Sequence, residues 1–395
     1  MTGRKFDIAI VGGGLSGGLI ALALRQRRPD LAVCLMESGE TIGGNHRWSW
    51  FGTDLPEGGE RLLAPFRKTA WEPGYGVRFP NHARHLPTPY RSLSSDNFAT
   101  ALARDLPEGA VRLRASASAL DARGVTLGDG ERIAAGAVID CRGFAPTPHL
   151  TGGWQLFLGR HLRTFAPHGI ERPVIMDADV AQHGAYRFVY VLPLGPHDLF
   201  VEDTYYADSP LLDREALSGR IARYCARHGW EGRIIASETG VLPVITGGDF
   251  SAFQAALRIE GVARAGARGG FMHPLTSYTL PHAVATALAV ADNAALPGPQ
   301  LAALLEARAR DHWRATRFYR RLGQMLFGAA RPEERWRIFE RFYRLPDGLI
   351  ERFYAARSTR MDRFRILCGK PPVPLGRAAA SLLRAGAPLA QRAVA

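Results

Sequence analysis

Phe6-Asp7-Ile8-Ala9-Ile10-Val11-Gly12-Gly13-Gly14-Leu15-Ser16-Gly17 is the stretch that decides how this 395-residue chain folds. Phe6–Val11 is an apolar run long enough for a buried parallel strand and too short for a helix. The residues after it fill the spacing G-x-G-x-x-G with Gly12, Gly14 and Gly17. Gly12 permits a tight turn, Gly14 lets backbone N–H groups approach a pyrophosphate, and Gly17 lets the next helix pack closely on the strand. That helix carries Leu15, Leu19, Leu22 and Ala23 on one face and stops before Pro29. Its N-terminus offers partial positive charge to phosphates. Leu31–Met36 reads as a second strand, and Glu37 closes it, placed to accept from ribose hydroxyls and to repel a 2′-phosphate. Glycine is common in this chain, so the spacing alone is weak. Strand, glycines, helix, strand and acid in order specify a dinucleotide site.

A chain of this length with 46% hydrophobic residues can bury a large core and divide into two or three domains. The first apolar run ends in glycines without the h-region of a secretory signal, and no apolar stretch reaches the roughly eighteen residues of a membrane span. Cys34, Cys141, Cys225 and Cys368 are scattered without zinc or redox spacing, which fits a reducing cytoplasm. The net charge is +13, almost all of it arginine, since Lys5, Lys68 and Lys370 are the only lysines. Residues 301–370 hold 17 Arg and Lys against 8 Asp and Glu, so most of the surplus sits in one segment. None of the usual nucleic-acid-binding motifs accompanies it, so nucleic acid is not an expected partner.

After Glu37 comes Gly43-Gly44-Asn45-His46-Arg47-Trp48-Ser49-Trp50. A Gly-Gly just past the ribose acid resembles FAD proteins of the glutathione-reductase type, which shifts the expected cofactor from NAD to FAD. Trp48 and Trp50 are candidates to line a pocket beside it, with core packing the ordinary alternative. Residues 60–93, rich in Pro, Arg and aromatics, read as an irregular excursion. Ser95–Arg104 reads as a capped helix with Phe98 and Leu102 on one face, and 111–133 as short strands around Gly128-Asp129-Gly130. Ala137–Asp140 is a strand that returns the chain to the nucleotide, with Asp140 beside it. From Trp154 to Ile245 the texture is β-rich. Arg187–Leu194 and Leu199–Tyr206 form a hairpin, and 211–229 is helical. Val262–Ala265 leads into Gly266 and a loop, Phe271 to Tyr278, with a helix from about Pro281. That helix start, aimed at a flavin ring, would stabilise negative charge on it. Gly266, Pro274 and Thr276 are the candidate contacts there. No second G-x-G-x-x-G follows a strand, so no separate NAD(P)H domain is expected. In 301–370, Phe318, Leu322, Met325 and Leu326 make one helical face and Trp336, Phe339 and Tyr343 another. Packing on the core and docking on an anionic membrane surface both suit this segment.

These runs resemble bacterial FAD-dependent lycopene β-cyclases, from Asp7 to about residue 300. The carriers are Val11–Ala21 and Gly43–Ser49, then Arg172–Ala178, Tyr186–Pro193, Val201–Tyr206 and His273–Pro281. The resemblance implies cyclisation of the linear ψ ends of lycopene to β-ionone rings, giving β-carotene by way of γ-carotene. It also implies reduced FAD without net redox change, NAD(P)H as electron source, and a cytoplasmic protein peripherally associated with the membrane. Gly266-Ala267-Arg268 departs from the pattern by lacking the Gly-Asp pair that commonly holds the ribityl chain.

The chemistry needs an acid for the terminal alkene, a dry pocket for a tertiary cation, and a base. Glu202 shares a strand face with Phe200, Thr204 and Tyr206, while Asp203 points the other way. A carboxyl among aromatics is desolvated, which favours its protonated form, and the family's acidic position falls on Glu202. Asp203 is its companion candidate, and solvated hairpin charges are the alternative for both. Trp48, Trp50 and Tyr206 offer π faces to a cation. The expected architecture is α/β, a glutathione-reductase-type FAD-binding Rossmann domain with a β-rich substrate domain and a C-terminal helical cap. The FAD domain takes 1–60, 90–150 and 255–300, the substrate domain 61–89 and 151–254, the helical cap 301–372, and a loose tail 373–395. Two rivals stand beside this reading. One is a redox flavoenzyme acting on an isoprenoid, a monooxygenase or geranylgeranyl-type reductase; the other is a non-catalytic, membrane-peripheral carotenoid-binding flavoprotein.

Overall fold

The computed structural model describes residues 5–368, 375–384 and 386–390. The expected nucleotide unit is present: strand Lys5–Val11, helix Leu15–Arg27, then strand Val33–Met36. Strand Lys5–Val11 lies between Val33–Met36 and Arg132–Asp140, parallel to both. Val111–Arg112 and Val262–Arg264 extend the parallel part, and the hairpin strands Ala117–Asp121 and Gly124–Leu127 finish a seven-stranded sheet. The helix was expected to bury one face, but every residue from Leu15 to Leu24 is buried. It lies between the sheet and the helices Ser95–Asp105 and Leu280–Asp292, so no side meets water. Gly18 makes this possible: a Cβ there would sit 2.5 Å from the Phe98 ring.

A second seven-stranded sheet runs in the order Gly232–Gly248, Leu150–Thr164, Asp198–Ala207, Tyr186–Gly195, Val174–Asp177, Tyr75–Phe79, His82–Leu86. Its central strands alternate strictly, as a sheet buried on both faces against different layers requires. Val189, Val191, Leu199 and Val201 pack under helix Arg214–Arg227 with Leu217 and Ile221. Tyr186, Phe188, Leu192, Phe200 and Tyr206 face the opposite way, toward the C-terminal helices.

Residues 60–93 are not an irregular excursion. They form helix Gly59–Leu63 and strands Thr69–Trp71, Tyr75–Phe79, His82–Leu86 and Tyr90–Ser94. Tyr90–Ser94 sits between Arg47–Phe51 and Thr69–Trp71 in a three-stranded sheet. These strands are three to five residues long, too short to display a period, and the two that join the large sheet do so through a distant partner, Val174–Asp177. In the C-terminal segment, helix Gly298–Ala315 packs on the nucleotide-domain strands Val262–Arg264 and Arg132–Asp140, while helices Arg317–Ala329, Trp336–Phe342 and Asp347–Tyr354 close over the aromatic face. Phe339 stacks on Tyr186 at 4.3 Å. Two arginines of this basic segment are buried: the Arg320 guanidinium lies 3.5 Å from the Trp313 ring centre, and Arg335 donates to the Leu326 and Phe327 carbonyls.

The tail expected beyond residue 373 is also corrected in its described part. Helix Leu375–Leu383 packs on Arg317–Ala329, held by Gln324 donating to the Ser381 and Arg384 carbonyls. Leu389 is fully buried and exchanges backbone hydrogen bonds with Thr147 and Leu150. The rest of that segment lies outside the described residues.

Candidate active site

One cavity of about 850 Å³ runs from the glycine loop to the aromatic face of the large sheet. At the first end Gly12 has φ +105°, and a Cβ there would be 2.9 Å from the Cys141 backbone. Gly14 has no atom within 4 Å of its missing side chain, so its backbone stands open to the cavity. Gly17 does not line it; its Cβ would be 2.0 Å from the Gly12 carbonyl, so its role is the close crossing of helix and loop. Glu37 reaches the cavity while accepting from the Gly13 and Gly39 N–H groups, both at 2.7 Å. Gly43 and Gly44 line the same end with positive φ, and Gly43 N–H binds the Gly13 carbonyl. Gly266, φ +59°, lines the cavity in close approach to Ser16, whose Cβ would be 2.9 Å from a Cβ there.

Two candidates are placed elsewhere. Asp140 is buried beneath the loop, bridging Arg142 at 2.8 Å and Arg268 at 3.2 Å. Pro274 does not line the cavity; its carbonyl accepts from Ile245 N–H, which ties the loop to the large sheet. Thr276 does line it. The hydroxyls of Thr276 and Ser16 and the Arg47 Nε are buried at this cavity without a partner in the protein. Buried polar atoms left so are costly unless a ligand meets them.

The other end is built from tyrosines and Glu202. Tyr278 is the hub, its hydroxyl 3.0 Å from that of Tyr90 and 3.1 Å from that of Tyr190. Register explains the rest. Tyr190, Glu202, Gly159 and Glu238 stand directly opposite one another on four adjacent strands, so all four face one side of the sheet. Glu202 is half-buried, with its open side on the cavity, and accepts from Thr204 Oγ1 at 2.7 Å. Burial pushes its carboxyl well above the ordinary carboxylate range; the Asp203 charge adds to this, while the Thr204 hydrogen bond and Arg47 oppose it. Burial does the same to Glu238, helped by the nearby Glu202.

Asp203, Trp50 and Tyr206 are corrected. Asp203 lies on the other face of the sheet with no exposure, its carboxylate held by Arg187 Nε at 2.9 Å and by the terminal nitrogen at 2.5 Å. Strand alternation sends it away from the cavity that its neighbour enters. Trp48 lines the cavity, edge-on to Phe98 at 5.1 Å. Trp50 follows two residues on, about 6.6 Å along the strand, and is enclosed in the nucleotide-domain core. Tyr206, about 13 Å along from Glu202, donates to the Leu275 carbonyl among Tyr186 and Phe327. Arg47, Tyr190 and Tyr278 lie within the quoted family runs but had no assigned role. Glu238 had no sequence signal, because only cross-strand register brings it to Glu202.

The family description "Lycopene cyclase protein" matches residues 7–380. The chain belongs to this family. It is 47% identical over 373 residues to a lycopene beta-cyclase of Pseudescherichia vulneris, covering 94% of this chain and 96% of that one. A lycopene beta-cyclase of Paracoccus sp. (strain N81106 / MBIC 01143) is 44% identical with the same coverage. Among solved structures, a geranylgeranyl bacteriochlorophyll reductase-like protein from Thermoplasma acidophilum superposes with a TM-score of 0.59 over 93% of this chain and 97% of that one. At 14% identity it shares the fold alone. That fold is the expected α/β type, a Rossmann-type nucleotide domain joined to a β-rich domain.

Proposed function

We propose that this cavity converts the ψ ends of lycopene to β-ionone rings, through γ-carotene to β-carotene, by acid–base chemistry with Glu202 as the acid. Family membership carries the reaction and substrate class: the chain is an enzyme of carotenoid biosynthesis that cyclises lycopene. The redox alternative is not favoured, since the relatives at 47% and 44% identity are cyclases. The observation that supports the residue assignment is a carboxyl at the aromatic end of the cavity whose pKa burial raises to about 7, so that it holds its proton far more tightly than an ordinary glutamate.

The Glu202 proton adds to the terminal double bond of the ψ end, and an internal double bond closes the ring on the tertiary cation. Loss of a different proton from the ring leaves the β double bond. One C–H bond forms and one breaks, so substrate and product are isomers. Phe200, Tyr190 and Tyr278 line the cavity with π faces suited to positive charge. The tyrosine hydroxyls hydrogen-bond to one another through Tyr278. Asp203 takes no proton in this scheme; it anchors the strand through Arg187.

FAD fits the opposite end. Gly14 leaves room for a pyrophosphate, Glu37 for ribose hydroxyls, and the unpartnered Ser16 and Thr276 hydroxyls for polar ligand atoms. When bound in its reduced form, FAD supplies a negatively charged ring that favours cation formation in the same cavity. NAD(P)H is the proposed electron source that keeps it reduced. A peripheral membrane position is supported by helix Arg360–Leu367, where Met361, Phe364 and Leu367 are 62%, 63% and 54% exposed beside Arg360 and Arg365. Among the described residues no helix is long and apolar enough to cross a membrane.

Expression in a lycopene-accumulating host tests the assignment. The wild type should give β-carotene there, and the purified enzyme with chemically reduced FAD, acting anaerobically on unlabelled lycopene in heavy water, should place one solvent deuterium in each ring. Glu202→Gln should leave lycopene unconverted with FAD content unchanged; normal cyclisation by that variant would remove Glu202 from the mechanism.

A further inference from the structure

Glu202 starts each ring closure by losing its proton, so it needs a source of the next one. The sheet places a second carboxyl for this. Gly159 on the central strand pairs with Glu202 on one side and Glu238 on the other, so the two glutamates straddle a residue without a side chain. Strands two apart are separated by about 9.6 Å, a gap that two glutamate side chains span when they lean together. Glu238 does lean: its Cγ is 3.1 Å from the place a Gly159 Cβ would occupy. The Phe200 ring fills the same space, 2.3 Å from the same point, and puts apolar surface beside both side chains. The Arg47 guanidinium stands 5.3 Å from the centre of that ring, and both glutamates raise its pKa while burial lowers it. Glu238 is 7% exposed.

We propose that Glu238 is a positioning residue for cyclisation, paired with Glu202 so that the two share protons and Glu238 restores the acid after each ring closes. This rests on Glu202 being the acid. The proton leaves Glu238 for Glu202 across Gly159, and Glu238 is recharged from solvent, so no co-reactant is needed. The groups facing the pair set its charge. Arg47 comes from strand Arg47–Phe51, with Asp96 of helix Ser95–Asp105 acting on Arg47. Tyr90 and Tyr190, on their own strands, feel the Glu202 charge, and Asp203 acts from beneath. One cation against two carboxyls in a dry site favours retention of at least one proton. Loss of the first proton therefore does not disable the enzyme, because the one on Glu238 can move to Glu202. Activity ends only when the second is lost.

The test is the pH dependence of single-ring formation by FAD-loaded, chemically reduced enzyme on lycopene in detergent micelles, between about pH 5.5 and 9. Glu238→Gln should bring the alkaline fall in rate down by about one pH unit, the separation expected of interacting carboxyls. Glu238→Asp keeps an ionisable group and should follow the wild type. Glu238→Met gives the same shift as Gln and serves if the Gln variant loses its FAD. A Gln profile superimposed on wild type, or an equal loss by the Gln and Asp variants at every pH, would overturn the pairing. Glu202→Gln is assayed alongside: inactivity supports the acid on which the pairing rests, and activity removes the acid and the pairing together.

Discussion

Glu202 and Asp203 are adjacent acids with opposite surroundings, and exchanging each separately divides chemistry from stability. Asp203 has no exposure and Arg187 is 4% exposed, with three hydrogen bonds between them. Burial raises the Asp203 pKa against the pull of Arg187. The assembled pair therefore contributes little net stability, yet removing one partner strands the other charge in the core. Among the described residues, Asp203→Ala leaves the Arg187 guanidinium with the Ala181 carbonyl as its one hydrogen-bond acceptor. The expected loss is about 3–5 kcal/mol, a large share of the roughly 5–15 kcal/mol that holds a typical domain together. Asp203→Asn keeps an acceptor oxygen and should lose less. Urea unfolding followed by tryptophan fluorescence measures the difference, and cyclisation per mole of bound FAD is measured on the fraction still folded at low temperature. That activity should stay within a few-fold of wild type for Asp203→Asn. Glu202→Gln should show the reverse, no activity with no loss of stability. Asp203→Asn that unfolds like wild type yet fails to cyclise would refute the division of roles drawn from strand alternation.

Thr276→Val replaces an unpartnered buried hydroxyl by a methyl; FAD affinity should fall about five- to tenfold, the value of one hydrogen bond, while the apoprotein becomes slightly more stable. Unchanged FAD binding in equilibrium dialysis would remove Thr276 from the cofactor site. Glu202 has its pKa raised by burial, so its acid form favours folding, and that advantage is present below the unfolded-state value near 4.3 and is lost as pH rises toward the folded value. Glu202→Gln, which cannot ionise, should therefore gain thermal stability over wild type as pH rises from about 4 to neutrality; equal melting temperatures across that range would contradict the burial. Met361→Asp with Phe364→Asp should reduce co-flotation with anionic phosphatidylglycerol vesicles several-fold without changing FAD content, and unchanged flotation would dismiss helix Arg360–Leu367 as a membrane contact.

The nucleotide end was legible in the sequence because its constraints are local. A strand, a crossing at Gly12 and Gly17 that admits no Cβ, and Glu37 holding the loop's own N–H groups all lie within about thirty residues of chain. The hairpin carrying Glu202 was legible for a similar reason: alternation along one strand is enough to send Glu202 and Asp203 to opposite faces. Alternation says which face a residue takes but not how far along the sheet it lies, and this is why Trp50 and Tyr206 were expected in a cavity they do not reach. The strands between residues 69 and 94 are three to five residues long, and apart from the hairpin of Tyr75–Phe79 with His82–Leu86 they pair with strands that are not their neighbours in the chain, so no periodicity announced them. The site itself was decided by tertiary structure. Tyr190, Glu202, Gly159 and Glu238 come into one row through register between separate strands, and Tyr90 and Tyr278 arrive from two other parts of the chain. Burial from all these elements then raises the Glu202 pKa, because a carboxyl's proton affinity depends chiefly on the water removed around it.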